Sequence, residues 1–251
     1  MSARVALVTG GARGIGAAIC RALCEQGCAV AVADLRSQLA EQTAAELTAA
    51  GHRALAVALD VTDGESVAAA VEQACSSLGD IDVLVNNAGW DELRAFVETD
   101  EAFWERIVEV NYLGALRVTR ALVPGMTERA WGRIVFIASD AGRVGSSLES
   151  VYAGAKGAVI AFAKSLARET ARAGVTVNVV CPGPTQTPLL EEITAGAEDA
   201  AKVISAMTRG VPMKRLGQPP EVAAAVAFFA STQAAFITGQ TLSVSGGLTM
   251  A

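Results

Sequence analysis

The chain has 251 residues, 52% hydrophobic and 18% charged, with 20 Lys and Arg against 26 Asp and Glu for a net charge of −6. That balance argues against a nucleic-acid surface, and the length suits one α/β domain with a large core. No signal-peptide pattern and no run of 18 apolar residues is visible, so a cytoplasmic protein that does not enter a membrane is expected.

Residues 5–8 are continuously apolar, as in a parallel strand buried on both faces. They run into residues 9–16, TGGARGIG, and then into a helix with Ile19, Ala22 and Leu23 on its apolar face. Glycines between a strand and a helix let the backbone approach a pyrophosphate, and the helix N-terminus favours its charge. Gly10, Arg13, Gly14, Ile15 and Gly16 are therefore candidate cofactor contacts. Cys20, Cys24 and Cys28 recur every fourth residue, but one His and no CxxC pair argue for buried thiols and no metal.

A second strand, 28–33, ends in Asp34, about 20 residues beyond the glycines, where a carboxylate reaches the adenosine ribose hydroxyls. The same charge repels a 2′-phosphate, so NAD is expected over NADP, although Arg13 and Arg36 argue mildly the other way; a helix N-cap is the plainer role for Asp34. Leu35 follows it at the same crevice. A helix at 38–50, a strand at 54–59 and a helix at 65–78 continue the alternation, with Asp60 and Val61 placed to meet the adenine. The strand at 81–85 ends in Asn86, Asn87, Ala88 and Gly89; Asn side chains there can tie neighbouring loops, and the small residues leave room for a cofactor. Trp90, Asp91 and Glu92, which follow, are expected at the crevice mouth.

A long helix at 100–126 contains Asn111 and Pro124. A mid-helix Asn is unfavourable by propensity and either holds a water beside a lysine or satisfies an interhelix contact. The strand at 134–138 delivers Ser139. Tyr152 and Lys156 stand four apart on the next helix and so share a face. A free phenol has a pKa near 10, and an adjacent ammonium favours phenolate, so Tyr152 suits acid/base work with Lys156 as its modulator and Ser139 as hydrogen-bond partner of an alcohol oxygen. A strand at 175–180 leads into a turn, 181–188, where Pro182, Gly183, Thr185 and Thr187 can cover the nicotinamide half. Residues 189–217 are expected to form a mobile substrate lid. A helix at 221–230, a strand at 240–244 and a tail at 245–250, which could complete a neighbour's site, close the chain. The alternation predicts a parallel sheet with helices on both faces.

TGGARGIG at 9–16, NNAG at 86–89, Asn111, Ser139, Tyr152 with Lys156, and Pro182-Gly183 occur in this order and spacing. In this the chain resembles the short-chain dehydrogenase/reductase family over its whole length. The resemblance implies a single-domain Rossmann fold with a seven-stranded doubly wound sheet, spanning residues 1–251. It also implies Tyr152 as general acid/base, Ser139 orienting the reacting oxygen, Lys156 holding the ribose and lowering the Tyr pKa, and Asn111 anchoring a relay water. A homotetramer built on two long helices and the C-terminal strand region is implied as well. A narrower likeness, in NAGWD at 87–91, SDAGRVGSS at 139–147 and the segment from 236 to 250, points to a branch acting on alicyclic hydroxyacyl-CoA thioesters.

The expected activity is NAD-dependent, reversible oxidation of a secondary alcohol, with Trp90, Arg143 and Ser146 as substrate contacts beside Ser139 and Tyr152. An NADPH-dependent 3-oxoacyl thioester reductase, a general secondary-alcohol, cyclic-diol or sugar dehydrogenase, and a dinucleotide-sensing binding protein remain as alternatives.

Overall fold

A computed structural model describes residues 4–195 and 199–250. Seven parallel strands form one sheet in the order β3-β2-β1-β4-β5-β6-β7: β1 Val5–Thr9, β2 Ala29–Asp34, β3 Ala54–Ala58, β4 Val83–Asn86, β5 Gly132–Ile137, β6 Val175–Pro182 and β7 Thr241–Val244. β1 pairs with both β2 and β4, Leu7 lying opposite Ala31 on one side and Leu84 on the other. The sheet is therefore wound outward in both directions from β1, and crossovers to either side leave a crevice above the strand ends at this switch point.

The continuous apolar runs are explained by which face each residue meets, since side chains alternate along a strand. On β1 and β2, Val5, Leu7, Ala29 and Ala31 enter one core layer, with Val67 of α3 (Gly64–Leu78), Leu122 of α5 (Gly114–Glu128) and Val159 of α7 (Ser150–Thr170). Ala6, Val8, Val30 and Val32 enter the other, with Ile19 and Leu23 of α1 (Gly14–Glu25), Ala40 of α2 (Ser37–Ala49) and Val226 of α10 (Pro219–Ala230). Truncating a fully buried Leu7 or Leu23 in such a layer costs about 2–5 kcal/mol.

Two segments depart from the sequence expectation. The helix expected over 100–126 is α4 (Glu101–Val108) and α5 joined by a π-helical turn, Glu109–Leu113, at whose centre Asn111 sits. Single π turns inside helices occur often at functional sites. The span expected as a lid is largely helical: α8 (Pro188–Ala195) and α9 (Ala200–Gly210); residues 196–198 of that span lie outside the described residues. A four-residue helix, α6 (Ala141–Val144), also stands between Ser139 and α7.

Candidate active site

The glycine turn is fixed by close approach. A Cβ on Gly16 would lie 1.9 Å from the Gly10 carbonyl oxygen, and one on Gly10, whose φ is +62°, would lie 2.9 Å from Ala88 Cα. Only glycine lets α1 close this tightly on the turn. Asn87 Nδ2 donates to the carbonyls of Thr9 (3.0 Å) and Gly10 (2.9 Å), while Thr9 Oγ1 accepts from the N–H groups of Asn87 and Ala88, both at 3.0 Å. Asn87 therefore ties the end of β4 to the turn, as its position suggests. At the α1 N-terminus Arg13 adopts an extended backbone, no side chain caps the helix, and its first turn carries no acid. These N–H groups and the helix dipole suit a pyrophosphate.

Asp34 closes the end of the crevice beside the glycine turn. Its carboxylate accepts from Ala12 N at 3.1 Å and Arg36 N at 2.9 Å, bridging the glycine turn to the start of α2; the cap of α2 is Arg36, not Asp34. Leu35, Asp60 and Val61 line the same crevice, of about 910 Å³, together with Arg13, Gly14, Ile15, Ala88, Gly89, Trp90, Ser139, Ser146, Tyr152, Lys156, Gly183, Thr185 and Thr187. The turn after β6 is pinned to the chain beyond α9 by Gln186 N donating to Gly217 O and Gly217 N to Pro184 O, both at 2.9 Å. Leu248 of the tail reaches this chain's own crevice, and Gly246 packs against Val211.

At the other end Ser139, Tyr152 and Lys156 converge. Lys156 is buried; its Nζ donates to Ile137 O at 3.0 Å and stands 5.5 Å from the Tyr152 ring centre. Asn111 Nδ2 donates to Trp90 O (2.7 Å) and Ile107 O (3.0 Å), and its Oδ1 accepts from Trp90 N (3.3 Å). Its side chain thus fastens the π turn to the Trp90 loop. A Cβ on Gly89 would lie 3.0 Å from Asn111 Oδ1 and 3.4 Å from Lys156 Nζ, so glycine keeps these two groups in one space.

Burial dominates the electrostatics at this end. Burial pushes the Tyr152 phenol up, the Asp91 and Glu149 charges add to this, and the Ser139 hydroxyl opposes it. Lys156 is itself buried, and burial pushes its pKa down to about 8 against the attraction of Asp91.

Arg143 is also displaced from its expected role. It is absent from the crevice lining, and its guanidinium donates to Ser243 Oγ at 2.7 Å; Ser243 in turn donates to Asp140. This network joins α6 to β7 rather than meeting a substrate. Asp91, expected at the crevice mouth without a role, is buried at 5% exposure beside Tyr152, and Glu149, not expected at the site, lines both the crevice and a small hollow shared with Asp91 and Tyr152. Position alone, one residue from Trp90 and three from Tyr152, was their only signal. Among the described residues no cluster of His, Cys, Asp and Glu could hold a metal, and no helix is long and apolar enough to cross a membrane.

Comparison with known proteins gives concordant matches. The family model described as Enoyl-(Acyl carrier protein) reductase matches residues 10–249. The chain is 42% identical over 247 residues to cis-4-hydroxycyclohexanecarboxylate dehydrogenase of Sinomonas cyclohexanicum, covering 98% of this chain and 96% of that one. It is 40% identical over 250 residues to a 3-oxoacyl-(acyl-carrier-protein) reductase of Vibrio cholerae, covering 100% and 99%. Among solved structures, a variant of actinorhodin polyketide ketoreductase with NADPH superposes with a TM-score of 0.93 at 38% identity, covering 99% of each chain.

Proposed function

Because the chain belongs to the short-chain dehydrogenase/reductase family of oxidoreductases, we propose that it is an NAD-dependent dehydrogenase reversibly oxidising a secondary alcohol to a ketone. The observation that carries this reading is the meeting of Ser139, Tyr152 and Lys156 at one end of a crevice whose other end is the glycine turn and Asp34. The nicotinamide ring, when bound, supplies the hydride acceptor or donor. Ser139 donates a hydrogen bond to the reacting oxygen, and Tyr152 exchanges the proton with it. The raised Tyr152 pKa keeps a neutral phenol, the donor that ketone reduction needs. Alcohol oxidation asks for phenolate, so its rate rises with pH while the reductive rate falls. Lys156 holds the ribose side of the crevice, and Asn111 fixes the Trp90 loop and Gly89 beside it.

The NAD preference is supported by Asp34, whose carboxylate stands at the end of β2 beside the glycine turn, where it would repel a 2′-phosphate. The substrate class is supported by the apolar side chains Trp90, Val144, Ile193, Met207 and Leu248 in the crevice lining, which suit a cyclic or β-hydroxyacyl group, and by the relative named for hydroxycyclohexanecarboxylate. A cyclic 2-hydroxyacyl-CoA, such as 2-hydroxycyclohexanecarboxyl-CoA, is the substrate we favour. The rival is an NADPH-dependent 3-oxoacyl thioester reductase, favoured by the Arg13 and Arg36 pair at the adenosine end and by the Vibrio relative. We also propose residues 1–251 as one catalytic domain with α8 and α9 as a substrate lid, a cytoplasmic setting, and a homotetramer. Exposed Phe236, Leu242 and Phe228 near β7 and α10 support such an assembly.

The test is a panel of secondary alcohols, free hydroxy acids and hydroxyacyl-CoA thioesters, with NAD and NADP supplied separately and the reduced nicotinamide read by absorbance. NAD-linked turnover of a cyclic hydroxyacyl thioester, lost in Tyr152→Phe with dinucleotide binding kept, is the expected result. Full activity of Tyr152→Phe overturns the mechanism. No turnover across the panel with firm binding favours a dinucleotide sensor.

A further inference from the structure

The adenosine end of the crevice contains a charge that β2 does not supply. Glu192, on the second turn of α8, grips Arg13 with both carboxylate oxygens, Oε1 to Nη1 at 2.5 Å and Oε2 to Nη2 at 2.6 Å. The same Oε1 lies 3.5 Å from Arg36 Nη2. Beneath them Asp34 is fixed by Ala12 N and Arg36 N. Two guanidinium groups and two carboxylates thus meet at one place, and their charges cancel. Hydrogen bonding to Arg13 holds the Glu192 carboxyl below its usual range, so it is charged at neutral pH.

We propose that Glu192 is a second determinant of cofactor choice, a carboxylate carried by the lid helix that occupies Arg13 and Arg36 and so excludes a dinucleotide bearing a 2′-phosphate. The inference deepens the NAD reading above and rests on it for the placement of the adenosine end. Arg13 presents its guanidinium edge to a carboxylate in the bidentate geometry that also suits phosphate. A 2′-phosphate reaching Arg13 must displace Glu192 and then lie beside it, like charge against like. A ribose hydroxyl asks for neither, since Asp34 can accept from it directly. The arrangement also places a cofactor-discriminating group on the segment proposed to cover the substrate, so α8 is held over the crevice by the same pair that filters the dinucleotide.

Glu192 is about half exposed at the side chain, so replacing it does not disturb the core. Its neighbour Glu191 is exposed on the same helix without an ion-pair partner among the described residues, and serves as the charge-matched control. The experiment titrates NADH and NADPH separately into wild type, Glu192→Gln and Glu191→Gln, reading dissociation constants from quenching of tryptophan fluorescence. Glu192→Gln should shift the ratio of NADPH to NADH affinity toward NADPH by about fivefold or more, the effect of losing an ion pair and a facing charge. Glu191→Gln should leave the ratio within about twofold of wild type. An unchanged ratio in Glu192→Gln, or equal shifts in both variants, overturns the proposal, the latter by showing a diffuse lid charge. If wild type already prefers NADPH, the NAD reading falls, while the shift between wild type and Glu192→Gln still decides this one. Failure of both dinucleotides to bind overturns both readings.

Discussion

Thr9 and Asn87 hold each other across the switch point of the sheet: the Asn87 backbone N–H donates to Thr9 Oγ1, and the Asn87 side-chain amide returns a bond to the Thr9 carbonyl, both at 3.0 Å. Thr9 is buried, so its carbonyl and that of Gly10 lose a protein partner when the amide is removed. Asn87→Ala should destabilise the protein by about 1–3 kcal/mol, the cost of stranding buried acceptors, and lower the urea midpoint with an unchanged slope. It should also weaken dinucleotide binding, because the glycine turn is no longer held against β4. A midpoint equal to wild type would show that these bonds contribute nothing net.

Gly16 and Gly64 stand on the first turns of α1 and α3 and meet opposite surroundings. A Cβ on Gly16 falls inside the Gly10 carbonyl, while one on Gly64 meets nothing within 4 Å. Gly16→Ala should therefore open the turn, cost about 1–3 kcal/mol through overpacking and abolish measurable dinucleotide binding. Gly64→Ala should be neutral or stabilise by up to about 1 kcal/mol, chiefly by restricting the unfolded chain. Thermal melts and NADH titrations of the pair provide the check, and equal behaviour of the two variants contradicts the close-approach account.

The strands were legible because a parallel strand buried on both faces leaves a plain signature: 29–34 reads AVAVAD, and its apolar residues divide between the two core layers. Some helix starts were equally local, as with Asp63 accepting from Glu65 N and Asp100 from Phe103 N. What escaped depends on partners far along the chain. The π turn at Asn111 follows from a side chain bonded to Trp90, 21 residues away, and no periodicity records that. Arg143 is drawn to Ser243, 100 residues on. The Tyr152 and Lys156 pKa directions depend on desolvation, which the four-residue spacing cannot express. Tyr152, Lys156 and Ser139 themselves were findable because the strand end and helix start that carry them are local features.

The five cysteines are all free, and burial is the first cause pushing each thiol up: Cys24 to about 11 and Cys181 to about 12, with Cys20, Cys28 and Cys75 also raised. Thiolate is the nucleophile, so a native chain at pH 8 should react slowly at every position. Titration with a chromogenic disulfide reagent should show no fast phase until denaturant is added, after which five thiols react. A fast native phase would place one cysteine in an open, electropositive setting that the structure does not contain among the described residues.

Asp91 presents the sharpest pH prediction. It is buried, its Oδ2 has no hydrogen-bond partner, and its neighbours are Glu149, Tyr152 and Lys156 on α7 and just before it, with Glu92 and Arg94 following on its own loop. Burial, then hydrogen bonding and repulsion from Glu149, push its carboxyl up to about 8, against the attraction of Lys156. An unfolded Asp titrates near 4. Between these values the folded chain holds a proton that the unfolded chain has lost, so this group's contribution is full below about pH 4 and declines as pH rises toward 8. Lys156, depressed to about 8, acts in the opposite sense but only above that pH, where the unfolded lysine still binds its proton. Asp91→Asn keeps the shape and removes the titration. From pH 5 to pH 8 its urea-derived stability should fall less than that of wild type, by about 1 kcal/mol or more, since a proton held only by the folded chain changes stability by about 1.4 kcal/mol for every step of one in pH. Identical pH slopes for the two proteins would mean that Asp91 is ionised in the fold at neutral pH.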